Sequence, residues 1–77
     1  MGRKITMKAA RANAGLTQQE MAEKMGVSRR MIIDWESGKR PIRTSNFIAF
    51  CKIAGFETQE IFLPEESTKS EMKEETA

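Results

Sequence analysis

The stretch from Thr17 to Ser28, TQQEMAEKMGVS, limits what this chain can fold into more than any other. It opens on Thr17-Gln18-Gln19-Glu20, a Thr-x-x-Glu capping box in which the Thr17 hydroxyl and the Glu20 carboxylate satisfy each other's free backbone amides. A helix starts there. Met21, Ala22 and Met25 continue it with apolar residues at helical spacing, and Gly26 is suited to the left-handed conformation that ends a helix. Ser28 is already the next N-cap candidate. Two short helices must therefore meet across a very tight turn. Ala22 is the small residue of the first of the two, and Val27 and Ile32 are the apolar residues beside the turn.

The same punctuation divides the rest of the chain. Residues 4–14 are rich in Ala, Lys and Arg without proline and precede Gly15, which predicts a first helix. A third helix is predicted over 29–37, between Ser28 and Gly38. Lys39-Arg40-Pro41-Ile42-Arg43 reads as a basic surface loop, after which Thr44, Ser45 or Asn46 is the expected cap of a fourth helix carrying Phe47, Ile48, Phe50, Cys51, Ile53 and Ala54. Ile61, Phe62 and Leu63 suggest a fifth, short helix over 58–62. The expected fold class is all-α, an orthogonal bundle of five short helices over residues 5–63. Residues 1–4 are expected to be a flexible basic arm, and 64–77, rich in Glu, Lys, Ser and Thr, a disordered acidic tail.

A chain of 77 residues has room for one small core and little else. It has no histidine and a single cysteine, Cys51, which removes internal disulfides, the commonest metal ligand and the commonest general base. No carboxylate pair or glycine-rich phosphate loop supplies an alternative chemistry, so neither an enzyme, a cofactor, a metal nor a small-molecule ligand is expected. No apolar run approaches the roughly 18 residues of a membrane span, and a cytoplasmic protein is the expectation. Gly2 and Thr6 also fit the short myristoylation pattern, which matches often by chance. Charge is segregated: residues 1–46 hold ten Lys/Arg against four acids, whereas 47–77 hold three Lys against seven Glu. A basic surface built from the first part is suited to a polyanion.

The third helix sorts its residues by face. At about 100° per residue, Ser28, Ile32 and Trp35 share the side turned to the core. Arg30, Ile33, Asp34 and Ser37 lie opposite, with Arg29 at the amino-terminal flank and Met31 at the boundary. An exposed face of Arg, Ile and Asp is unusual for a helix that meets only water.

The order Thr17-Gln18, Ala22, Gly26-Val27-Ser28, Ile32 and Trp35-Glu36-Ser37-Gly38-Lys39 resembles the helix-turn-helix of the phage repressor and Cro family, also called the XRE family, over about residues 5–63. The resemblance implies a lambda-repressor-like fold in which helices two and three form the helix-turn-helix. It also implies a partly buried ion pair between Arg11 of helix one and Glu36, which nothing local in the sequence signals. Two adjacent arginines at the start of helix three, and Pro41 one position early, depart from the family pattern.

Such a fold sets helix three in the major groove of double-stranded DNA. Arg29, Arg30, Ile33 and Asp34 are then the expected base contacts. Arginine matches guanine O6 and N7, Ile33 can cover a thymine methyl, and Asp34 can accept from a cytosine amino group or orient Arg30 one turn back. Gln18, Ser37, Lys39, Arg40, Arg43, Arg3 and Lys4 are the expected phosphate contacts. A homodimer on a palindromic operator follows, with Phe56, Ile61, Phe62 and Leu63 as interface or core-closing residues. The implied role is a small transcriptional regulator, repressor or Cro-like. The alternatives are an antitoxin that represses its own operon and a protein-interaction module that keeps the fold without DNA.

Overall fold

The computed structural model describes residues 4–63. The expected arm, Arg3 included, and the expected acidic tail lie outside the described residues but for Lys4. Four α-helices follow one another: α1 (Met7–Asn13), α2 (Gln18–Met25), α3 (Arg29–Ser37) and α4 (Thr44–Ala54). α2 packs on α3 and α4, and α1 packs on α4. The core between them is Met7, Ala10, Met21, Ala22, Ile32, Trp35, Ile42, Phe47, Phe50, Cys51, Ala54 and Ile61. Trp35 and Cys51 are thus core residues, and burial pushes the Cys51 thiol pKa above its ordinary value by desolvation. No helix among the described residues is long and apolar enough to cross a membrane.

Local chemistry sets the helix boundaries. The Thr17 hydroxyl accepts from the Glu20 amide at 3.0 Å while the Glu20 carboxylate accepts from the Thr17 amide at 2.9 Å, completing the expected capping box. Ser28 caps α3 by accepting from the Met31 amide. Gly26 closes α2 at φ 73° and Gly38 closes α3 at φ 81°. Beyond them the Val27 amide donates to the Ala22 carbonyl and the Lys39 amide to the Asp34 carbonyl, the long return bond of a Schellman end. A β-carbon at Gly26 would meet nothing within 4 Å, so backbone conformation and not space requires glycine there.

Three expectations are corrected. Helix one does not begin at residue 4: Thr6 is its N-cap, accepting from the Ala9 amide, and Ile5 is extended. Helix four is not capped by Thr44, Ser45 or Asn46; Arg43 holds the cap position without a side-chain bond, and those three residues form the first turn. The fifth helix is a single 3-10 turn, Thr58–Glu60, so the molecule has four α-helices among the described residues. Its successor Ile61 is extended and forms a parallel bridge with Ile5, in which the Ile5 amide donates to Glu60 and the Phe62 amide to Ile5. Closing the core with Ile61 requires extended backbone there, which ends the helix.

Candidate nucleic-acid interface

An ion pair between α1 and α3, joined by the first residue of α2, holds the base of the helix-turn-helix. Arg11 Nε lies 2.6 Å from Glu36 Oε2, with the two side chains 9% and 4% exposed. Arg11 also donates from Nη2 to Glu36 Oε1 and from Nη1 to the Leu16 carbonyl, the latter at 2.7 Å. Gln18 Nε2 donates to Glu36 Oε1 at 3.3 Å. Glu36 therefore joins α1, the start of α2 and the end of α3 in one network. Its hydrogen bonds satisfy charges that would be costly to bury unpaired.

On the outer side, Arg29 is exposed and has no side-chain partner among the described residues. Arg30 is exposed too, with Nη1 3.8 Å from Asp34 Oδ1. Ile33 is only half-buried, in a depression it shares with Lys8, Gln18, Glu36 and Ser37, whereas the helical wheel puts it on an open face. Ser37 is exposed, and its hydroxyl donates to the Asp34 carbonyl and accepts from the Lys39 amide. Lys39, Arg40 and Arg43 are exposed, and Arg40 and Arg43 line a second depression with Met31, Trp35, Pro41 and Asn46. Lys4 is not with them. It lines a third depression with Thr44, Ile48 and Leu63, its ammonium 5.7 Å from the Phe62 ring centroid.

Asp34 departs furthest from expectation. The wheel sets it on the exposed side, yet the residue is 6% exposed, because the loop after α3 folds back over it. The Lys39 and Arg40 amides donate to its carbonyl, and Arg40 Nε stands 3.9 Å from Oδ2. The side chain keeps 9% exposure, and Arg30, the residue it is expected to orient, is the nearer of the two cations beside it. Lys8, which sequence reasoning assigns no role, joins Gln18 and Ser37 around Ile33. Its position three residues before Arg11 on α1, hence on one helix face, is the signal that could have found it.

The family described as helix-turn-helix has a model that matches residues 7–61, from the start of α1 to the bridge. The chain belongs to the XRE-type helix-turn-helix family. Within this helix-turn-helix, Ala22 and Ile32 are both sealed in the core, and Gly26 makes the left-handed turn that ends α2. An uncharacterized HTH-type transcriptional regulator of Methanocaldococcus jannaschii is 36% identical over 63 residues, covering 82% of this chain and 96% of that protein. No solved structure is significantly similar to the chain.

Proposed function

We propose that the protein binds double-stranded DNA sequence-specifically, with α3 in the major groove, and acts as a small cytoplasmic transcriptional regulator of the repressor or Cro-like kind. The observation that carries this reading is the cluster of exposed cations on one structural unit. Arg29 and Arg30 open α3, and Lys39, Arg40 and Arg43 follow it. Arg29 has no intramolecular ion pair among the described residues, so its fork is free for guanine, where a good pair is worth about 1–3 kcal/mol of discrimination. Gln18, oriented by Glu36, and Ser37 and Lys39 at the end of α3 are suited to phosphates, which fix register without reading sequence. Lys4, on a different depression, fits a phosphate contact less well than the loop cations.

The protein acts as a homodimer in this proposal, since one module covers too few base pairs and a palindrome repeats half-sites about one turn apart. Ile48 and Phe62, 40% and 45% exposed, are the large apolar side chains left open among the described residues. Phe62 thereby stays an interface candidate, whereas Ile61, 2% exposed, closes the core instead.

Selection of bound duplexes from a random pool tests the reading. An enriched, two-fold symmetric motif containing guanine is expected, and Arg29→Ala or Arg30→Ala should relax it at single positions. Log affinity should fall with log salt at a slope of roughly −3 to −4 per monomer if about four phosphates are neutralised. No enriched motif at about 100 mM salt, where specific binders still discriminate, would sink the proposal.

A further inference from the structure

Arg11 and Asp34 are the charged residues buried as whole residues among those described, and they are treated unequally. Arg11 has the Glu36 carboxylate and the Leu16 carbonyl within hydrogen-bond distance. Asp34 Oδ1 is sealed from solvent and accepts no hydrogen bond. Its charge is met from a distance, by Arg30 Nη1 at 3.8 Å, while Arg40 Nε lies 3.9 Å from Oδ2. Separations of that length are ion pairs in which no N–H is donated.

Three features of this arrangement matter together. The carboxylate is enclosed: its side chain is 9% exposed, and the backbone beside it is tied down, the carbonyl of the same residue taking the Lys39 and Arg40 amides and the Ser37 hydroxyl. The guanidinium groups are not buried with it, being on side chains 71% and 57% exposed. They also come from separate elements, Arg30 from the first turn of α3 and Arg40 from the loop beyond its end. A fixed negative charge thus attracts two flexible cations to one place. Because neither pair is a hydrogen bond, the donors of both forks stay available to something outside the protein.

The geometry points to Asp34 as a positioning residue for DNA recognition, which holds Arg30 and Arg40 as a pair across a buried carboxylate and itself touches no base. This rests on the reading that α3 faces DNA. It also divides the two adjacent arginines: Arg30 is oriented before DNA arrives, and Arg29 is ordered only by contact. A carboxylate near the duplex repels phosphate unless both cations stay between them. Asp34 therefore weakens binding to duplexes that do not engage the pair, which raises the ratio of specific to non-specific affinity.

Two measurements on the full chain test this. The first needs no DNA and no variant: ¹⁵N relaxation of the arginine Nε–H groups should find Arg30 and Arg40 more ordered than Arg29. Equal mobility of the three overturns the inference, and this holds even if Asp34→Asn fails to fold. The second compares a selected duplex with a scrambled one. Asp34→Asn, with folding checked by thermal melting, should loosen Arg30 and Arg40 to the mobility of Arg29. It should also lower the specificity ratio about tenfold, the order of one good base contact, with the scrambled duplex bound more tightly. Equal tightening on both duplexes would mean that Asp34 is only a uniform negative charge, and overturns its positioning role. If the wild-type chain distinguishes no duplexes, the DNA reading falls, and the role of Asp34 at DNA with it; the relaxation contrast in the free protein identifies that case by surviving.

Discussion

Asp34 and Glu36 stand two residues apart on α3, both side chains almost sealed from water, yet the fold holds them in opposite ways. Glu36 is gripped at hydrogen-bond distance by Arg11 and Gln18, and its cationic partner is nearly sealed with it. Asp34 is met only at long range, by arginines whose side chains lie mostly in solvent. The difference separates architecture from use. A pair hydrogen-bonded to each other and to the surrounding chain can fix helices but offers little outward. A pair held without hydrogen bonds orients its cations and leaves them able to bind.

Breaking the Glu36 side of this comparison should have the largest effect. Glu36→Ala leaves the Arg11 guanidinium buried against an empty site, at a cost of about 3–5 kcal/mol. Thermal melting should then fall by more than about 12 °C, or folding should fail, given about 4–8 °C per kcal/mol for a domain of this size. A loss no larger than that of Asp34→Asn would erase the distinction between the two carboxylates. Gly26→Ala probes the end of α2, at the turn into α3, where only backbone conformation is at stake. About 1–2 kcal/mol should be lost by forcing a side chain into the left-handed region, with the bonds of Glu36 intact. Denaturant unfolding of both variants measures the order.

Much of this organisation was legible from residue order. The Thr17–Glu20 box, the Ser28 cap and the glycine stops act between residues three or four apart, so the bounds of α2 and α3 can be read directly. Trp35 follows Ile32 on the core face for the same reason. What local order could not carry was contact made by the chain returning on itself. The Arg11–Glu36 pair came from a family resemblance, since helices one and three meet only in the folded molecule. The burial of Asp34 depends on the loop at 39–40, which no wheel of α3 includes. The bridge at Ile61 depends likewise on Ile5, and it replaces the last turn of an apolar helix.

The outward side of the comparison is sharpened by cations that touch neither carboxylate. Lys39→Ala and Arg43→Ala together should change stability by less than about 0.5 kcal/mol per site, as surface substitutions do. The same double variant should flatten the salt dependence of duplex binding by about 0.9 in slope for each phosphate that is no longer neutralised. An unchanged slope with weakened folding would make these residues part of the scaffold. Cys51 provides the smallest signal. Desolvation raises its thiol pKa, so the neutral form favours the fold below the ordinary thiol range, and that contribution is lost as pH rises through the folded value. Alkylation at about pH 8, below the ordinary free-thiol pKa, should be slow in the native protein and fast in denaturant.

The bridge between Ile5 and Ile61 is parallel, and that direction has a practical consequence. In an antiparallel pair, Lys4 and Phe62 would lie at the same end of the bridge, and a few residues would join them to each other as a hairpin. Here the chain enters the bridge from the Lys4 side and leaves it on the Phe62 side, so the exit of one copy can face the entry of the next, and only a linker joining both ends of one copy must double back. A tandem fusion that joins two copies into one polypeptide therefore tolerates a short spacer, whereas joining the two ends of a single copy needs one that runs back past the bridge, and shortening that one should strain the bridge before it disturbs α3.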